Sequence, residues 1–285
     1  MGVGNFIPTI WSEDLERGLE RNCVFAEDCN RKYQGKVEDK GDSVRILGVG
    51  SPTIKAVDRK DADADIDGPE TIEDSSVTML IDQVRYFNYK VGDIDKAQSV
   101  GGLMEAYSKE TSEKLANAVD RYLAGFATDP AVHKLYQTPF KAIGEGTVVE
   151  GEKHVMHILD EAALWMREND IPATTKVVMT VSPRFAMLLR RAFIIRDTNN
   201  SEILKHGEIG MYGNVTIKES NNVYRSGGVD HMMIRTQRAL AYAQPLTHTE
   251  AYRPEKKFAD AVKGFILFGG KIVRPQEILD VPVTY

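Results

Sequence analysis

The acidic stretch DADADIDGPETIED, from Asp61 to Asp74, holds the densest arrangement of chemistry-bearing side chains in the sequence. Counted from Asp63, the order is Asp63, Asp65, Asp67, Gly68 and then Asp74. Oxygen ligands at positions one, three, five and twelve, with a turn glycine at six, are how an EF-hand loop holds a hard cation. Two residues argue against a calcium loop. Position twelve is Asp74 and not the longer Glu that coordinates with both oxygens, and Pro69 directly follows the glycine. The flanks also read as strands, whereas an EF-hand loop joins two helices. Asp61, Asp63, Asp65 and Asp67 are therefore expected at a solvated loop tip, with no metal bound.

Other constellations fare similarly. His154, His157 and Glu161 share one helical face at a spacing suited to zinc. That face lies opposite the apolar stripe, so solvent-facing side chains are expected there. No His-Glu-x-x-His occurs, and Cys23 and Cys29 lack zinc-finger spacing. The segment GVGSPT at Gly48 has neither the Walker lysine nor a following helix. No Gly-x-Ser-x-Gly elbow is present, and neither cysteine has an adjacent base. Arg190, Arg191 and Arg196 are expected to form surface ion pairs. These residues predict no catalytic site, no cofactor and no enzymatic activity.

Composition narrows the class further. With a net charge of −6 and a pI near 5.6, the chain has no basic surface for gripping nucleic-acid phosphates. Apolar runs such as GFILFGG are too short to cross a bilayer, so no membrane partner is expected. Two cysteines among 285 residues fit a reducing compartment.

The elements that would position these residues follow from periodicity. TIWSEDLERGLERNCVFAEDCNRKY, residues 9–33, reads as a helix capped by Ser12, with Trp11, Leu15, Leu19, Cys23 and Ala26 as a narrow apolar stripe. DSVRILGVGSPTIKAVD and SSVTMLIDQVRYFNYKV are β-branched and aromatic, and predict a long two-stranded ribbon with the acidic stretch at its tip. Such a ribbon is marginal alone and needs a partner surface. From Leu103 to Ala127 a long helix is predicted, with Met104, Tyr107, Thr111, Leu115, Val119, Tyr122 and Phe126 on its apolar side. Compact α/β structure follows. EKHVMHILDEAALWMREND and PRFAMLLRRAF read as helices, the second with proline at its favoured first position. KVVMTVS, GNVTIKES, DHMMIRTQRALAYAQ and KFADAVKGFILFGGKIVRP read as strands, and RDTNNSEILKHGEIGMYGN as a loop.

LIDQVRYFNYKVGDIDKAQS, the helix bearing ANAVDRYLA, then VVMTVSPRFAMLL, GEIGMYGNVTIKESNNV and FADAVKGFILFGGKIVRPQEI occur in one order along the chain. In that order the sequence resembles the major capsid proteins of tailed bacteriophages, a capsid fold shared with encapsulins and the herpesvirus capsid floor. The resemblance implies an α+β fold in four parts. These are an N-terminal arm (1–33), an extended β-loop (34–92), a peripheral domain with a spine helix (93–151 and 238–285) and an axial domain (152–237). It implies a structural shell subunit that forms pentamers and hexamers and encloses double-stranded DNA in a virion head assembled in the bacterial cytoplasm. A separate scaffolding protein and a portal are the implied partners. Trp11, Leu15 and Leu19 of the arm, the loop aspartates, and Arg85, Phe87 and Tyr89 are the expected subunit contacts. Two other readings stand beside this one: an encapsulin-like nanocompartment with the same fold, and a cytosolic metal-binding protein using the acidic loop.

Overall fold

Alternation along β11 (Val229–Thr236) shows how the molecule is layered. Met232 and Ile234 join one buried apolar cluster, whereas Met233 between them joins another. Side chains on a strand point to opposite faces in turn, so this strand carries cores on both sides. The computed structural model describes residues 23–32, 43–49, 74–92, 103–172, 174–195, 208–254 and 259–285.

The sheet around β11 has nine strands and mixed direction. Its main path is β6 (Glu152–His154), β5 (Phe140–Ile143), β14 (Ile278–Thr284), β11, β7 (Val177–Val181), β9 (Val215–Glu219) and β8 (Glu208–Tyr212). Two short strands lie off that path: β10 (Tyr224–Ser226) pairs with β11, and β4 (His133–Lys134) with β14. Helices α2 (Val155–Glu168) and α3 (Pro183–Ile195) cover one face. There Val155, Ile158, Leu159, Phe185 and Leu189 meet Met179, Ile217 and Val281. All of β7 is buried because both faces are covered, which explains its run VVMTV without polar alternation.

A second sheet has the antiparallel order β12 (Leu240–Tyr252), β13 (Ala259–Ile272), β3 (Gln83–Gly92). The register of β12 against β13 shifts between Ala243 and Leu246, where Gln244-Pro245 sits. Proline cannot donate to a ladder, so an irregularity at that point is the expected accommodation. Helix α1 (Leu103–Gly125), about 35 Å long at 1.5 Å per residue, lies against this sheet. Leu115, Ala116, Val119 and Leu123 of α1 meet Leu240, Tyr242, Ile266 and Phe268. Tyr122 adds edge-on contacts to Phe126 and Phe268, with centroids at 5.3 and 5.4 Å.

The ribbon is present where described: β1 (Ser43–Val49) pairs antiparallel with β2 (Asp74–Leu80). Its partner surface lies in the same chain. Val44, Ile46, Met79 and Ile81 bury against Ala241, Ala243 and Leu267 of the three-stranded sheet.

Four expectations about local structure are corrected. The predicted helix over 9–33 does not extend through its described part, where one 3₁₀ turn at Ala26–Asp28 is followed by a bridge from Asn30 to Ala241. SSVTMLIDQVRYFNYKV is two strands, and the second, β3, leaves the ribbon to pair with β13. The helix predicted from Glu152 begins at Val155, because Glu152–His154 pair with β5. The end of the predicted polar loop, Glu208–Tyr212, is the edge strand β8. In the first two cases a distant backbone partner outcompetes the local preference; in the last two a nearby strand does, β5 for Glu152–His154 and β9 for Glu208–Tyr212.

Candidate functional site

Residues 23–30 sit in the body through a set of buried polar contacts. Cys23, Phe25, Ala26 and Cys29 are buried among α1 and the sheets, although this segment is not helical. The first amides of a turn have no partner within it. Here Val24 N–H and Phe25 N–H donate to the Asp120 carboxylate of α1 at 2.8 and 3.0 Å. Ala26 N–H also bonds to it. Asp120 is fully buried, and burial pushes its carboxyl above the usual range; the three amides and the Arg235 guanidinium pull the other way.

Arg235 of β11 grips the same segment from the opposite side. Fully buried, it donates from Nη2 to Phe25 O at 2.7 Å, and its guanidinium lies 5.1 Å from the centroid of the Phe25 ring. Lys218 of β9 reaches Glu27 and Asp28, both at 2.7 Å, and Lys176 reaches Asp28 at 3.3 Å. Burial alone would lower the Lys218 ammonium's pKa, but its two acidic partners raise it overall. Asn30 N–H donates to Leu240 O at 2.9 Å, and Tyr242 N–H donates to Asn30 O at 3.1 Å. Burial also pushes the Cys29 thiol up to about 11, so it stays protonated at neutral pH.

Among the predicted contact residues, Trp11, Leu15, Leu19, Asp61, Asp63, Asp65 and Asp67 lie outside the described residues. Asp74 opens β2, where its backbone pairs with Val49, so the acidic stretch is flanked by two strands paired with each other. Arg85, Phe87 and Tyr89 share one face of β3. Phe87 and Tyr89 stack at 5.9 Å, and Tyr89 stacks on Tyr107 of α1 at 5.7 Å. The Arg85 guanidinium stands 6.0 Å from the Phe268 ring. This aromatic row therefore packs within its own chain. Between these residues, Tyr86 points to the other face and is 81% exposed. Phe265 and His248 continue across that face, opposite Tyr86 and Phe265 in the strand registers, with their rings 5.7 Å apart.

His154, a zinc-ligand candidate by spacing, caps α2: its Nδ1 accepts from Met156 N–H at 3.2 Å and its Nε2 donates to Gly144 O at 3.1 Å. His157 and Glu161 pair with each other at 3.0 Å. Arg190 pairs across to Glu219 of β9 at 2.5 Å. Sequence reasoning missed Asp120, Arg235 and Lys218. One local signal was available: Asp120 sits one residue after Val119, within the buried arc of α1.

Comparison with solved structures identifies the architecture. A structure from Mycobacterium phage Che8 matches with a TM-score of 0.67 and 27% identity, over 91% of this chain and 90% of that one. The capsid structure of the cyanophage P-SCSP1u matches with a TM-score of 0.66 and 15% identity, over 92% and 88%. A virus-like particle from Pyrococcus furiosus matches with a TM-score of 0.56 and 11% identity, over 96% and 98%. Neither protein-family profiles nor curated protein sequences return a match. The chain has the α+β fold of the tailed-bacteriophage major capsid proteins. The encapsulin-like reading has no better support among these structures than the phage-capsid one.

Proposed function

We propose that this protein is the major capsid protein of a tailed bacteriophage, assembling into pentamers and hexamers of an icosahedral head shell around double-stranded DNA. The observation that carries this reading is the likeness to the Che8 phage structure along nine-tenths of both chains. A ribbon and an arm root extending from a two-sheet body suit a subunit whose remaining burial comes from its neighbours. At about 25 cal/mol per Å² of apolar area, modest contacts repeated around each subunit hold a closed shell. The role is structural and not enzymatic. The acidic charge suits a shell that encloses DNA without sequence-specific binding, and a separate scaffolding protein and a portal are its proposed partners.

With this reading goes a proposed four-part division by chain segment: arm 1–33, β-loop 34–92, peripheral domain 93–151 and 238–285, axial domain 152–237. Strands β3, β4, β5 and β14 cross that division to pair in the other sheet. The proposed subunit contacts are Trp11, Leu15 and Leu19, the loop aspartates, Arg85, Phe87 and Tyr89. The test is expression with and without scaffolding protein, read by negative-stain microscopy and light scattering. Closed particles are expected, and a 31.8 kDa monomer under every condition refutes the reading. Replacing Trp11 and Leu15 with Asp is expected to abolish particles while leaving the subunit folded. Wild-type particle yield from that variant removes the arm from the contacts.

A further inference from the structure

Residues 23–30 touch both halves of the fold at once. On one side they bond to α1 through Asp120 and to β12 through Asn30. On the other they bond to β11 through Arg235 and to β9 through Lys218. The hydrogen bonds made by Asp120, Arg235 and Asn30 use the main chain of the segment, its amides and the carbonyls of Phe25 and Asn30. A buried ion needs several kcal/mol of compensation, and apolar groups of equal volume would often be as stabilising. What fully buried charges add is geometry: the carboxylate and the guanidinium fix the path of the main chain, and the Phe25 ring against the guanidinium sets its register.

We infer that residues 23–30 form a clamp between the two sheets, with Asp120 and Arg235 as positioning residues that fix where the arm joins the body. Resting on the shell-subunit reading, the clamp sets the arm for contact with a neighbouring subunit. The phenyl group of Phe25, buried and held under the guanidinium, locks the register. Lys218, tied to Glu27 and Asp28, holds the far end of the same turn against the nine-stranded sheet.

The experiment is hydrogen exchange on the unassembled full chain, comparing wild type with Asp120→Ala, the milder Asp120→Asn, and Lys218→Met. Losing hydrogen bonds to a charged acceptor is expected to speed exchange at Val24, Phe25 and Ala26 by about 10- to 100-fold. Asn30 and Tyr242 are expected to follow, while the amides linking β5 to β6 stay unchanged. A folding defect alone would raise every amide together. Such a uniform rise in all three variants, or unchanged exchange at 24–26 in Asp120→Ala, overturns the clamp. Particle yield is then measured on the same variants, and loss is expected in proportion to release at 24–26. Normal particles from a released variant overturn the link to assembly. Absence of particles from the wild type counts against the shell reading, while the exchange data still decide the clamp.

Discussion

Gly269 lies where the ribbon crosses the three-stranded sheet, and replacing it with alanine tests that crossing directly. A Cβ on Gly269 would overlap the Leu80 carbonyl oxygen and stand 3.0 Å from Ile81 Cα, both main-chain atoms that no rotamer change can move. The end of β2 must shift outward. That shift loosens Met79 and Ile81 from Ala243 and Leu267, against which they are now buried. Overpacking a tight site costs about 1–3 kcal/mol, and about 2 kcal/mol corresponds to a Tm lower by about 5 °C for a chain of this size class. The assay is thermal unfolding of the unassembled subunit by circular dichroism, with hydrogen exchange read at Met79 and Ile81. Gly125→Ala is the matched control. Gly125 ends α1 with helical φ −59 and ψ −25, and a Cβ there meets nothing within 4 Å. That change is expected to stabilise the protein by about 0.5–1 kcal/mol. If Gly269→Ala unfolds within about 0.5 kcal/mol of wild type with both amides unmoved, the close crossing is wrong.

Two further outcomes follow from the buried thiol and the two faces of β3. Cys29 has its pKa raised from 9.0 to about 11 by burial, so its contribution to stability is complete below pH 9 and is lost as pH rises through about 11. Denaturation midpoints across that window should fall less in Cys29→Ala than in wild type, and equal falls remove Cys29 from the cause. On β3, Phe87→Ala should destabilise the subunit by roughly 2–4 kcal/mol, since the ring packs on Gly264 and Tyr89. Tyr86→Ser, on the exposed face, should stay within about 0.5 kcal/mol in urea titration. The reverse order would mean that the faces of β3 are assigned wrongly.

Much of the local structure was legible from the residues. The run from Leu103 produced α1, Pro183 opened α3, and VVMTV within KVVMTVS became a fully buried strand. The order of motifs pointed to the capsid fold, and the fold comparison agrees. These signals are local, since a helical stripe or a β-branched run depends on neighbours a few residues away.

What stayed hidden depends on partners far along the chain. Cys23 and Ala26 continue the spacing of a helical stripe, yet the amides of residues 24 and 25 bond to a carboxylate 96 and 95 residues away. No local pattern marks Asp120 as that acceptor, or Arg235 as the guanidinium facing it. Likewise the alternation Arg85, Phe87, Tyr89 was plain in the sequence, but which face α1 would cover was not. The three-stranded sheet decided it, half-burying Phe87 and Tyr89 on the side of Tyr107 and leaving Tyr86 outside. Residue spacing determined most of the elements, and the ordered motifs carried the resemblance to the capsid fold; tertiary pairing alone decided which charges were buried and which aromatic face stayed open. The reason is that burial is a property of two surfaces meeting, and one segment encodes only its own.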